Sequence, residues 1–188
     1  MFRFTPGKVV EQFEAGDNLI TLRFPKMADA RSAMANINAL IAENARIFLR
    51  RKVNLTEERK WLRGVIRDIK QDMKIMFVID VRGRFIGSTV LVRRLRRPSA
   101  FDHIAEFAIG LARRHRQCGI GEHAARTLFN LGKALWRLKL IRSSYAADNT
   151  ASAALHKKLG FKIAGRIPKG AKYGNRYIDE IVAVKELK

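Results

Sequence analysis

A single cysteine, Cys118, stands among 188 residues, which excludes an intramolecular disulfide and any cysteine-rich metal site. His103, His115, His123 and His156 show no ligand spacing with it, so no metal is expected. Linker-like and low-complexity stretches are also missing, and one domain over residues 1–188 is expected, with residues 1–18 an extended arm. No apolar run approaches the roughly 18 residues of a membrane span. Met1-Phe2-Arg3-Phe4 opens no signal peptide, so a soluble, cytoplasmic protein is expected. Acidic residues are the last scarcity: 17 Asp and Glu face 38 Lys and Arg, a formal net charge of +21. Such an excess attracts polyanions such as nucleic acid or an anionic membrane surface, unless it is simply a solvated surface.

What the chain does contain is a strand-like run, Ile104 to Leu111, then polar and basic residues, then Gly119-Ile120-Gly121, where a long helical pattern begins. The first turn of a helix leaves backbone N–H groups without intrahelical partners at the positive end of the dipole, so main chain alone can hold an anion. Lacking Cβ, Gly119 and Gly121 let a pyrophosphate approach, and Arg113, Arg114 and Arg116 add a positive field. The longer Rossmann glycine fingerprint and the Gly-Lys-Ser/Thr ending of a P-loop are both absent. Another anionic cofactor is implied; a glycine-rich turn with no ligand is the bland alternative.

Arg116-Gln117-Cys118-Gly119-Ile120-Gly121 resembles the Arg/Gln-x-x-Gly-x-Gly/Ala motif of the GNAT superfamily of acetyl-CoA-dependent N-acetyltransferases. Asn149-Thr150-Ala151-Ser152-Ala153-Ala154-Leu155-His156-Lys157-Lys158-Leu159-Gly160-Phe161 is similar to that family's Asn-x-x-Ala/Ser-x-x-Leu-Tyr-x-x-x-Gly-Phe segment, at the usual separation. The resemblance implies an α/β (α+β) GNAT fold: a mixed, mostly antiparallel sheet of about seven strands with flanking helices and a splay between strands four and five. It also implies acetyl-CoA as cosubstrate, its pantetheine arm on the open edge of the fourth strand at Ile109, Gly110 and Leu111. Arg116, Gln117, Cys118, Gly119, Ile120, Gly121 and Glu122 would surround the pyrophosphate, with Asn149 beside the cofactor.

The rest of the pattern agrees with that plan. Leu19 to Phe24 alternates as a strand, and Ala30, Ala33, Met34, Ile37, Leu40 and Ile41 recur at helical spacing within 28–45. A second helix starts near Thr56, read as its N-cap, with Trp61, Leu62, Val65, Ile66 and Ile69 on one apolar face. Ile75 to Asp80 and Phe85 to Val92 read as a hairpin about Val81-Arg82-Gly83-Arg84. A basic loop from Arg93 to Pro98 precedes the organising strand. A helix over 119–138, a strand over 140–146, a helix ending at Gly160, and strands over 161–166 and 176–184 follow.

The chemistry implied by the resemblance needs a neutral amine, a stabilised oxyanion and a proton for the departing thiolate. Glu106 lies where some family members place a general base, though a strand-end carboxylate paired with arginine is an equal reading. His156 replaces the tyrosine that usually protonates the thiolate, and serves as that acid or as a packing residue. Tyr145 is the other donor candidate or a core aromatic, and Asn149 contacts the cofactor, caps a helix, or does both. Ser144 stands where acetyltransferases of ribosomal protein N-termini commonly carry a glutamate, which weakens assignment to that subgroup. Cys118 receives no nucleophilic role, because the loop works through backbone amides.

The expected function is therefore acetyl transfer from acetyl-CoA to a primary amine, of a small molecule or a protein, by direct attack in a ternary complex. Residues 25–60, 93–102 and 167–176 are expected to choose the acceptor. A polycationic acceptor is disfavoured unless Glu11, Glu14 and Asp17 form an acidic pocket. The alternative class is a basic GNAT-like module that binds RNA or ribosomes with little catalysis; nonspecific polyanion contact and a homodimer are also compatible with the sequence.

Overall fold

The computed structural model describes residues 4–47, 49–94 and 99–187; residues 1–3 of the expected arm and residues 95–98 of the basic loop lie outside them. Its elements run β1 (Val9–Ala15), β2 (Asn18–Arg23), α1 (Ala30–Ala42), α2 (Leu55–Lys70), β3 (Lys74–Val81), β4 (Arg84–Arg93), β5 (Ile104–Leu111), α3 (Ile120–Trp136), β6 (Leu140–Ala146), α4 (Thr150–Lys158), β7 (Lys162–Tyr173) and β8 (Arg176–Glu186). The described strands form one sheet in the order β1-β2-β3-β4-β5-β6-β8-β7. Every neighbouring pair is antiparallel except β5 and β6, which run parallel because α3 crosses between them. The order of strands and helices expected from the sequence is present with one strand more.

That extra strand corrects the reading of residues 1–18 as an arm. From Val9 onward the segment pairs with β2, and a register shift between Val9 and Glu11 breaks the alternation that would have marked it as a strand. Side chains then fasten it to α3. Phe13 stacks on the His123 ring with centroids 3.8 Å apart, while Glu11 bonds His123 Nε2 at 2.7 Å and accepts from the Thr127 hydroxyl at 2.6 Å. Glu11 is thereby committed to structure, so the acidic pocket envisaged with Glu14 and Asp17 loses one member.

Local chemistry sets the helix ends. The N-cap of α2 is Asn54, two residues ahead of the expected Thr56: its side chain accepts from Glu57 N at 3.0 Å, and the Glu57 carboxylate accepts from Asn54 N at 3.0 Å. Arg51 bonds the same carboxylate, and together these contacts hold its pKa down at about 2. Leu62, Val65 and Ile69 are buried as expected, but Trp61 is 45% exposed, because it lies on the flank of the apolar stripe. In α3, Ile120, Ala124, Leu128, Phe129 and Trp136 are buried in a core shared with Phe77, Ile79, Leu91 and Phe107. Each large side chain there contributes roughly 1.5–3 kcal/mol by leaving water.

One ionic cluster lies inside. Arg23 at the end of β2 donates to both carboxylate oxygens of Asp29, at 2.9 and 2.8 Å, and to Asp80 at 3.1 Å; all three residues are buried. Asp29 also accepts from Lys26 N at 2.8 Å, and Asp80 from Gly83 N at 2.7 Å. The guanidinium thus ties the start of α1 to the sheet and to the β3–β4 turn. At the other edge, β7 runs well past the expected end at Arg166, with a register shift between Ile167 and Ala171 around Pro168. An edge strand tolerates the proline there.

Candidate active site

Strands β5 and β6 pair over three rungs only, Ile104 with Leu140, Ala105 with Ile141 and Glu106 with Arg142. Beyond Glu106 they separate, although β5 stays paired to β4 as far as Leu111 opposite Gly87. One residue past the last rung, the Ser143 hydroxyl lies 3.0 Å from the Phe107 carbonyl oxygen and closes the throat of the gap. Alternate residues of a strand direct their backbone groups to the same edge, so Ile109 and Leu111 present theirs on the open side along with Phe107. The Leu111 carbonyl accepts from Arg116 Nε at 2.9 Å. The amide groups of Ile109 and the N–H of Leu111 face the same open side.

A cavity of about 720 Å³ opens at this point. It is bounded by the end of β5, the turn before α3, the first turns of α4 and the segment 43–47 after α1. The turn has the backbone that an anion cradle needs: Gln117 at φ +64° and Gly119 at φ +77° lie in the left-handed region. Gly119 is the N-cap of α3 and caps with no side chain, and His123 N makes the helix bond to Gly119 O at 3.0 Å. The amides of Ile120, Gly121 and Glu122 precede that bond and so have no acceptor within the helix. Gly121 fills a second need: a Cβ there would stand 3.2 Å from Leu111 Cδ1 and 3.5 Å from Ile109 Cδ1, so glycine lets α3 start close against β5.

The segment 43–47 is pinned on both sides of this opening. Glu43, the C-cap of α1, bonds Arg116 of the glycine turn. Arg46 makes a forked pair with Asp148, Nε to Oδ1 at 3.0 Å and Nη2 to Oδ2 at 2.7 Å. Asp148 precedes Asn149, which caps α4 by accepting from Ser152 N at 3.1 Å. The forked contact holds the Asp148 carboxyl below the usual carboxylate range.

Of the residues expected around the cofactor, Ile109, Gly110, Leu111, Arg116, Gln117, Gly119, Gly121, Glu122 and Asn149 line the cavity. Cys118 is exposed beside it and Ile120 is buried in the core beneath α3. The three residues expected in catalysis do not line it. Glu106 is exposed on β5 and borders a small hollow with Arg94, Phe101 and Arg142, with no ion pair among the described residues. His156 is buried, its ring centroid 4.7 Å from that of Tyr145 and 4.8 Å from that of Phe161. Its Nδ1 lies 2.7 Å from the Ser152 carbonyl and its Nε2 2.8 Å from the Ser143 hydroxyl. Burial pushes the imidazole pKa down, partly offset by the Ser152 contact. Arg46 and Asp148 went unremarked in the sequence; they are 102 positions apart, and no spacing rule links them.

The family profile described as Acetyltransferase (GNAT) domain matches residues 20–162. The chain belongs to the GNAT acetyltransferase family. A relative from Pseudomonas paraeruginosa, an L-methionine sulfoximine/L-methionine sulfone acetyltransferase, is 25% identical over 160 residues, covering 85% of this chain and 90% of the relative. The ribosomal-protein-alanine N-acetyltransferase of Brucella melitensis superposes with a TM-score of 0.75 at 25% identity, over 88% of this GNAT chain and 99% of its own. The Microcin C7 self-immunity acetyltransferase MccE, solved in complex with acetyl-CoA and AMP, gives a TM-score of 0.76 at 16% identity, over 92% of this chain and 94% of its own, a likeness of fold. The basic GNAT-like binding module is not favoured by these matches. Among the described residues there is no helix long and apolar enough to cross a membrane, and no cluster of His, Cys, Asp and Glu that would hold a metal.

Proposed function

We propose that this protein transfers an acetyl group from acetyl-CoA to a primary amine by direct attack in a ternary complex. The observation that carries the reading is the parting of β5 and β6 after Glu106, which opens a strand edge next to a glycine-capped helix start. The two features suit the two halves of one molecule. An open strand edge offers N–H and C=O groups to an amide-bearing pantetheine arm, and unpartnered helix amides suit a pyrophosphate. Arg113 and Lys158 on the cavity wall add positive field.

Bound acetyl-CoA supplies an activated thioester. The chain's own task is to hold it at Ile109 to Leu111, orient it through Asn149 and receive a neutral amine. A lysine amine costs about 4.6 kcal/mol to deprotonate at pH 7, an α-amino group about 1.1 kcal/mol. Glu106, exposed and without an ion pair among the described residues, is the proposed base, acting through water because it stands outside the cavity wall. His156 is proposed as a packing residue: both ring nitrogens face protein oxygens, and a lowered pKa leaves little imidazolium at neutral pH. Tyr145 packs on that ring and shares its structural role.

The P. paraeruginosa relative is named for amino-acid derivatives and the B. melitensis protein for a ribosomal-protein alanine, which supports an acceptor of amino-acid type. A cytoplasmic location belongs to the same proposal, as does secondary polyanion contact from the net charge of +21. Release of free thiol from acetyl-CoA in the presence of an amine panel tests the reading. Amine-dependent release supports it, and release at the rate of spontaneous hydrolysis with every amine contradicts it.

A further inference from the structure

The cavity wall is chemically varied. One part carries the amides of α3 together with Arg113 and Lys158, which suit phosphate groups. Another part is formed by Arg46 and Asp148, and Arg46 lies over Tyr173 at the tip of the β7–β8 hairpin, where Tyr173 pairs with Arg176. Two guanidiniums rest on the Tyr173 ring, Arg46 at 4.9 Å and Arg50 at 5.3 Å from its centroid. Arg50 Nη1 also donates to the Lys172 carbonyl, which fixes the plane of its guanidinium.

Charge here does not balance. Arg46 is matched by Asp148 through Nε and Nη2, and its Nη1 makes no hydrogen bond among the described residues. Arg176 and Glu180 lie within electrostatic reach of the same cluster. The guanidiniums of Arg46, Arg50 and Arg176 and the Lys172 amine outnumber the carboxylates of Asp148 and Glu180, and Arg50 has no acidic partner among the described residues. A guanidinium that rests over an aromatic ring keeps outer N–H groups available for a planar anion.

We propose that the acceptor amine carries a carboxylate, and that this carboxylate is seated on Arg50, with Nη1 of Arg46 beside it, at Tyr173 next to the cavity. The carboxylate and the amine then belong to one small molecule, an amino acid, and because both groups sit on one carbon the thioester lies next to Arg50 in the ternary complex. This inference rests on the acetyltransferase reading above, and it assigns Arg50 and Tyr173 to specificity. Arg50 is a surface residue whose removal leaves the core untouched.

Matched acceptors test it. Free L-amino acids and their carboxamides are compared by thiol release from acetyl-CoA, with wild type and Arg50→Gln, and acetyl-CoA affinity is measured calorimetrically for both proteins. The amide's amine is the less basic of the two, which by itself favours the amide. We expect the free acid to show a KM at least about tenfold below that of its amide in wild type, and that ratio to shrink in Arg50→Gln at unchanged acetyl-CoA affinity. Equal KM values for acid and amide, or a ratio untouched in Arg50→Gln, overturn the carboxylate seat while leaving acetyl transfer intact. Acetyl-CoA binding with no turnover of any amino acid overturns it as well. No binding of acetyl-CoA removes both this inference and the reading beneath it.

Discussion

Glu106 and Arg142 form the last rung between β5 and β6, and the candidate site begins on the next residues of β5. The Ser143 hydroxyl, 3.0 Å from the Phe107 carbonyl oxygen, marks the point where the ladder ends and the open edge starts. Pairing up to that point fixes the depth of the cleft, and the glycine turn fixes its far wall.

Glycine 119 is a backbone requirement. At φ +77° a side chain is strained by roughly 1–2 kcal/mol, yet a Cβ there meets no atom within 4 Å. Gly119→Ala should therefore retain the fold and weaken acetyl-CoA, about tenfold for each 1.4 kcal/mol passed to the bound state. Calorimetric titration of the variant checks this; unaltered affinity argues against the turn as the phosphate cradle.

Glu106→Gln isolates the proposed base. General bases contribute about 10²–10⁴-fold, so turnover at pH 7 should fall by about two orders of magnitude. The deficit should narrow as pH rises, because the amine then loses its proton without help. A parallel drop across the whole pH profile assigns Glu106 to structure.

Acid should weaken the fold in a way that involves His156. Burial lowers the pKa of its imidazole in the folded protein, so the unfolded chain, with a histidine pKa of about 6.5, takes up the proton first. Its contribution is whole above that value and is lost as pH falls through about 6.5 toward the lower folded pKa. Burial and Arg114 lower the pKa of His115 too, with the same sign. Melting temperatures from pH 8 to pH 5 should therefore decline, and less steeply in His156→Gln. An identical slope in the variant contradicts the assignment.

Arg23→Met should be costly, since it strands the carboxylates of Asp29 and Asp80 in the interior. Removing one partner from a buried ionic cluster costs about 3–5 kcal/mol. Chemical denaturation reads this directly, and a loss under about 1 kcal/mol shows that the cluster is worth no more than an exposed pair.

The parts legible in the sequence were those with short-range signals. The turn at Gly119, the cap at Asn149 and the left-handed Gly160, at φ +80°, each announce themselves through residue type over a few positions. The strand β1 was hidden because its register shift spoils the alternation between Val9 and Glu11. The end of β7 was hidden because Pro168, which ordinarily stops a strand, is tolerated at a sheet edge. Thr56 looked like a cap because its neighbours are acidic, while Asn54 with Glu57 three positions on is the true box. Contacts such as Arg46 with Asp148 and Glu43 with Arg116 depend on folding to bring distant segments together, and no local pattern encodes them.

The gap between β5 and β6 is proposed to hold acetyl-CoA by its pantetheine arm as well as its phosphates. Calorimetric titration with acetyl-CoA, beside dephospho-CoA and ATP as controls for attraction to positive charge, tests it most directly. Micromolar binding of acetyl-CoA is expected, with most of that affinity retained by dephospho-CoA and much weaker binding of ATP. Affinities that follow phosphate charge alone, or no binding of acetyl-CoA, would contradict it.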